Sequence, residues 1–286
     1  MSNYSGEKRP RVLLSEPTTA LIAATGPKKA PAPISNWALN RELLSISPNE
    51  ILALFLVRQE DFNDINCATA LARLSRSPST KKCTPGLLSL ISRTAEIASG
   101  HGVKSKGKTL TSQAHSLGVF GTIAGLETPS CTALQAIAPA ACAAQHRGDP
   151  DAPGAISTVL WALGTLRWVL PDRVVSTALF AAAASAATQM SAAELSNAAW
   201  GTARAGVRST TLMTALGKAA TSHAICGSFT AQGIASTAWA WAKLKLRPPN
   251  SLYVALVSSA LKMLDVRDLH EKGCSQLCVG VGGRSQ

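Results

Sequence analysis

Three stretches decide how this chain folds: residues 155–168, AISTVLWALGTLRW; residues 194–207, ELSNAAWGTARAGV; and residues 233–246, GIASTAWAWAKLKL. Each carries a tryptophan at its seventh position, so Trp161, Trp200 and Trp239 stand thirty-nine residues apart. Self-similarity at a fixed period of roughly 20–50 residues marks a repeat architecture, in which each unit buries its apolar face against the next. The apolar residues around each tryptophan recur with helical spacing. The chain therefore reads as all-α, an α-solenoid of stacked antiparallel helix pairs with a period of about 39 residues. One helix of each unit carries the tryptophan phrase. The second follows a short turn, over about 171–189, 209–225 and 248–264. Pro171 and Pro248-Pro249 sit where a helix start tolerates proline, and Gly206 where a helix end favours glycine.

Outward from these phrases the register weakens. Carried forward, it puts Cys278 in the tryptophan position, so 265–286 reads as a truncated or degenerate repeat and tail. Carried back, residues 66–74, NCATALARL, match with Thr69 in place of tryptophan, and 115–120 match more faintly. Residues 155–264 are thus the regular repeats and 36–154 degenerate ones. In that first half a helical pattern starts at Asn36. Ser47, Pro48 and Glu50 offer a capped start to a helix ending near Arg58. Further helices are expected over Asn63 to Leu74, 86–98, 110–125 and 129–145, with a basic flexible loop over 99–109 and a turn-rich break over 146–154. Residues 1–35 read as a disordered basic segment; a transit peptide and a plain tail fit it equally.

The chain of 286 residues is 5% aromatic and 15% charged, with a formal net charge of +12. Scarce aromatics and abundant Ala, Ser and Thr favour small-residue helix packing over a β-rich core. The positive surplus points to a polyanionic partner, nucleic acid first. Residues 174–193 carry no charge over a length that could span a bilayer, yet are mostly Ala, Ser and Thr. They read as a buried Ala-rich helix, and no membrane span is expected. The seven cysteines form no C-x-x-C, and the pair Cys274 and Cys278 is too little for a zinc site. Reduced structural thiols follow, with no metal and no cofactor expected. Phosphate loop, nucleophile elbow, H-E-x-x-H and paired-carboxylate motifs are all missing from the sequence, so a non-catalytic protein is expected.

The tryptophan rings are expected in the core, between neighbouring helices. Function is expected in the cations beside them. Arg204 and Lys243 follow their tryptophans by four residues, Arg208 and Arg247 by eight, Arg73 fills the place in the weak unit, and Thr165 breaks the series. Stacking places equivalent positions on one edge, and Arg167, Arg173 and Lys245 lie close by in sequence. Over 155–264 the acids are Asp172 and Glu194 against nine lysines and arginines. Such a stripe suits a phosphate backbone through charge pairing and counterion release. The candidate RNA phosphate-binding residues are therefore Arg204, Arg208, Lys243, Lys245, Arg247 and Arg167. Thr158, Asn197 and Ser236, polar residues near the expected helix starts, are base-reading candidates, and helix capping explains them equally well.

The phrase L-S/A-N/S-x-x-W-A-x-A-K/R-L, best met in LSNAAWGTAR (195–204) and IASTAWAWAKL (234–244), resembles the octotricopeptide repeat family and relatives such as the heptatricopeptide repeats. The resemblance covers 155–264 well and 36–145 poorly. It implies paired-helix repeats and a role in organellar RNA processing, stability or translation. Single-stranded RNA, ribosomal or messenger, is then the expected partner, alongside other organellar RNA-metabolism or ribosomal proteins. The implied location is a mitochondrion or chloroplast, with the cytoplasm as the alternative. The rival reading is a protein-binding scaffold of armadillo or HEAT type, or a structural subunit of an organellar ribosome.

Overall fold

The computed structural model describes residues 35–80, 82–101 and 105–265, and there the chain is all-helical. Twelve α-helices and no strand occur among the described residues: α1 (Asn36–Ser45), α2 (Pro48–Arg58), α3 (Asp64–Ser75), α4 (Pro85–His101), α5 (Gly107–Phe120), α6 (Glu127–His146), α7 (Ala152–Thr165), α8 (Arg173–Ala186), α9 (Ala192–Arg204), α10 (Thr210–Ile225), α11 (Ala231–Leu244) and α12 (Asn250–Asp265). The expected N-terminal segment apart from Ser35, and the degenerate repeat with Cys278, lie outside the described residues.

The helices form two layers. Each odd-numbered helix packs on the odd helix before it, each even-numbered helix on the even one before it, and from α3 onward each odd helix also touches the even helix that follows. Apolar residues between the layers make one continuous core, with Leu71, Leu117, Leu160 and Leu195 from odd helices and Leu90, Leu134, Leu179 and Leu216 from even ones. Small residues let the odd helices approach closely. A Cβ added to Gly164 of α7 would lie 2.5 Å from Cα of Gly201 in α9, so this crossing needs glycine on both sides. Buried side chains tie helices within each layer: Gln113 Nε2 donates to the Asp64 carbonyl at 3.1 Å, Ser157 Oγ to that of Glu194 at 2.7 Å, and Ser259 Oγ to that of Ala224 at 2.5 Å.

Local signals set the helix ends. The Ser47 N–H donates to Glu50 Oε2 at 2.7 Å at the start of α2, as its sequence implies. Ser191 and Glu194 repeat the device at α9, where the Ser191 N–H donates to Glu194 Oε2 at 2.7 Å and the Glu194 N–H to Ser191 Oγ at 3.3 Å. The C-terminal ends of α7, α9 and α11 share one geometry. Arg167, Gly206 and Lys245 all adopt left-handed backbone, with φ of 50°, 78° and 53°. The next residue donates back into the helix, Trp168 to Leu163 at 2.9 Å, Val207 to Thr202 at 3.1 Å and Leu246 to Trp241 at 3.1 Å. This is the Schellman closure, which satisfies carbonyls that the helix itself leaves open.

Three expectations change. α4 continues to His101 and α5 begins at Gly107, so much of the expected 99–109 loop is helix. α7 starts at Ala152, with Pro153 in the first turn, which shortens the expected break. The uncharged stretch 174–193 is not one buried helix: α8 buries Leu179, Ala182, Ala183 and Ala186 but leaves Val174 78% exposed, and the chain then passes through a 3-10 turn into α9. No helix among the described residues is long and apolar enough to cross a membrane.

Candidate nucleic-acid interface

The ninth or tenth residue after the N-cap of successive odd helices from α3 is Ala72, His115, Trp161, Trp200 and Trp239. These positions form a row at the edge of the odd layer. The three tryptophans are partly buried there, and Trp161 and Trp239 pack against the core, so these rings border it instead of lying inside it. The buried indole is Trp241, two residues on, at 4% exposure. Trp161 lies flat against His115 from the neighbouring helix, with centroids 5.1 Å apart and planes 8° from parallel. Desolvation, and then the charge of Arg76, hold His115 below the usual histidine range. Trp200 carries the guanidinium of Arg204 over its ring, with Cζ 5.3 Å from the centroid. That contact follows from the four-residue spacing, which brings a side chain back over its neighbour one turn along. Nε of Arg204 is buried with no hydrogen-bond partner among the described residues.

The candidate cations cluster by position in the fold. Arg204 ends α9 and Arg208 lies in the turn after it; Lys243 lies in the last turn of α11, and Lys245 and Arg247 follow it; Arg167 follows α7. All are exposed except the half-buried Arg204. Among the described residues the ion pairs join Arg58 to Asp61 and Arg93 to Glu60 and Glu96, so none of the six is neutralised in this way. Asp172 is the acid nearest in sequence to Arg167. Its Oδ1 accepts from the N–H groups of Val174 at 2.7 Å and Val175 at 3.2 Å, capping α8. The left-handed positions fall on Arg167, Gly206 and Lys245, six residues after each tryptophan. That register was present in the sequence but hidden, because arginine and lysine do not advertise a positive φ.

Arg73 leaves the stripe. Its Nη1 donates to the Leu43 carbonyl and to that of Ile46 at 2.6 Å, closing the C-terminal end of α1. The residue four beyond the ring position of α3 is its C-cap, Arg76, which is exposed.

The base-reading candidates lie in mid-helix, each three residues before a tryptophan. Thr158 is half-buried and its hydroxyl donates to the Gly154 carbonyl at 2.8 Å. Asn197 is exposed and Ser236 is buried. The N-caps of α9 and α11 are Ser191 and Thr230, so Asn197 and Ser236 do not cap them.

No family model matches the chain, and no curated protein matches it either.

Beyond the stripe, a groove of about 600 Å³ crosses the face of α3, α5 and α7. Its lining includes Arg76, Lys108, His115, Asp151, Thr158 and Glu194. Sequence reasoning missed it because these residues come from four helices and a turn and share no period. A smaller recess of about 400 Å³ lies where Arg247, Pro248 and Pro249 meet Trp241 and the start of α10. Among the described residues no three His, Cys, Asp or Glu side chains gather as metal ligands would.

Proposed function

We propose that the chain is an α-solenoid of paired helices with a unit of about 39 residues, which binds single-stranded RNA, without catalysis, along the turn edge of α7, α9 and α11. The observation that carries this reading is the run of cations on that edge, Arg167, Arg204, Arg208, Lys243, Lys245 and Arg247, with no ion pair to neutralise them among the described residues. The layered stacking of odd on odd and even on even helices supports the solenoid, and the shared closure at Arg167, Gly206 and Lys245 supports the spacing. Cations without a carboxylate partner beside partly buried indoles suit a strand that offers phosphates and unstacked bases. A role in the RNA metabolism of a mitochondrion or chloroplast rests on the resemblance of the tryptophan phrases. A protein-binding scaffold is the second reading, favoured by the exposed apolar residues Tyr253, Val254, Val257 and Leu261 along α12.

The test is single-stranded RNA affinity as a function of salt, for the full chain and for a variant with Arg204, Arg208, Lys243 and Arg247 all changed to Ala. Each phosphate contact contributes roughly 0.7 to the slope of log K against log salt for a single strand. The variant's slope is expected to fall by up to about 3 on that basis. An unchanged slope refutes the stripe and leaves the scaffold reading.

A further inference from the structure

We propose that the groove over α3, α5 and α7 seats one nucleotide, its base stacked on His115 and its phosphate held by Arg76. The inference deepens the RNA reading by naming where a base sits. The chemistry is shared by a free mononucleotide and by one residue of a single strand.

Three features of the groove select this ligand. The first is a flat surface. Trp161 covers one face of the His115 imidazole at 8° and 5.1 Å, and His115 itself lines the groove. A ring backed by another ring is held in place before any ligand arrives, so stacking a base on it costs little ordering. The second is the charge distribution. Arg76 is the C-cap of α3, whereas Lys108 and both lining carboxylates, Asp151 and Glu194, stand at the starts of α5, α7 and α9. A phosphate therefore belongs at the Arg76 end.

The third is a wall rich in acceptors. Thr111 Oγ1 donates to the Gly107 carbonyl at 2.9 Å, and Thr158 Oγ1 to that of Gly154 at 2.8 Å. Their protons are spent inside the helices, and the oxygens keep lone pairs for a donor. Glu194 Oε2 is occupied by Ser191, while Oε1 lies over Gly154, where a Cβ would come within 2.7 Å. Lys108 apart, these groups are acceptors and call for N–H and O–H donors, as on exocyclic amines and ribose. Bases with an amino group should therefore be favoured over uracil. The volume of about 600 Å³ falls within the range of small-molecule sites.

Titration calorimetry of the full chain with AMP, UMP, ribose 5-phosphate and inorganic phosphate tests the assignment. AMP is expected to bind more tightly than UMP, and both more tightly than inorganic phosphate. His115→Ala should weaken AMP about tenfold while leaving ribose 5-phosphate unchanged, since stacking alone is lost. His115→Phe should restore AMP binding, which separates loss of stacking from loss of fold. Arg76→Ala should weaken AMP and ribose 5-phosphate alike. AMP bound no better than inorganic phosphate, or AMP binding unmoved by His115→Ala, overturns the proposal. The stripe variant with four alanines is expected to bind AMP as the parent does. A flat salt slope with AMP binding intact would refute the RNA reading and leave the groove standing; the converse would refute the groove alone.

Discussion

Glycine at Arg167 and Lys245 should stabilise the fold while weakening RNA binding. Both residues hold φ near +50°, where a Cβ crowds the carbonyl and an L residue is strained by roughly 1–2 kcal/mol. Glycine removes that strain but returns some freedom to the unfolded chain, leaving a net gain of about 1 kcal/mol per site. The closing hydrogen bonds Trp168 to Leu163 and Leu246 to Trp241 involve backbone only, so the substitutions leave them in place. One term opposes the gain. A cation at a helix C-terminus interacts favourably with the helix dipole by about 0.3–1 kcal/mol, and salt screens this. Unfolding by urea should therefore be followed at low salt and near 1 M NaCl. At high salt the double variant should gain about 2 kcal/mol, with Tm rising by roughly 2–4 °C per kcal/mol for a chain of this size. Gly206→Lys is the mirror control in the equivalent turn after α9, since a Cβ there meets nothing within 4 Å. It should lose about 1 kcal/mol through its φ of 78° alone. Binding should move the other way, the RNA salt slope falling by about 0.7 for each cation removed. Unaltered stability at high salt would refute the strain argument, and an unaltered slope would refute a role for these two cations in RNA binding.

Gly201→Ala should cost about 2 kcal/mol despite the better helix propensity of alanine, because its Cβ would overlap the Leu160 carbonyl and come within 2.8 Å of the Trp161 nitrogen, both backbone. Gly100→Ala in α4, with nothing within 4 Å, should instead be neutral or slightly stabilising, and equal urea midpoints for the two variants would refute the close approach of α7 and α9. Arg73→Leu should lower stability by about 2 kcal/mol through two lost charge-assisted bonds while leaving the RNA salt slope untouched; a changed slope would return Arg73 to the stripe. The Asp149 carboxylate accepts from the N–H groups of Gly107 and Asp151, each at 3.0 Å, and these bonds hold its pKa below the ordinary 3.8. Its stabilising effect is then present above that value and lost as pH falls through the folded pKa, so Asp149→Asn should flatten the loss of stability at acid pH. An acid limb identical to the parent's would count against this linkage.

The regular half was legible because the chain repeats its own punctuation. The expected second helices over 171–189, 209–225 and 248–264 match α8 with its 3-10 turn, α10 and α12 closely. What the period could not give was direction. Helical spacing says which residues share a face, not whether the face meets the other layer or its edge, so it does not separate an indole inside the core from one that borders it. His115, which covers Trp161, comes from a helix whose N-cap lies forty-five residues earlier instead of thirty-nine. The misplacement of Arg73 has a similar cause. Residues three apart on a helix are near neighbours, so matching the phrase on Thr69 chose the wrong turn, and the N-cap at Asn63 puts Arg76 in register instead. The groove was illegible for a different reason, since its lining is assembled by stacking and no single stretch contains it.

The turn edge raises a question of balance that helps decide between a structural and a functional origin for its cations. The C-terminal ends of α7, α9 and α11 each carry partial negative charge, and a lysine or arginine there is ordinarily explained by the dipole. At Arg167 and Lys245 that explanation falls short. The dipole gain of about 0.3–1 kcal/mol is offset by a left-handed strain of similar or larger size. No carboxylate pairs with either cation among the described residues to relieve repulsion along the edge. Gly206 shows that glycine serves the same turn. Fold stability is therefore no better with the cations than without them, and under the RNA reading proposed above a polyanion along the edge would supply the missing term. It would gain from every positive charge at the point where the fold gains nothing.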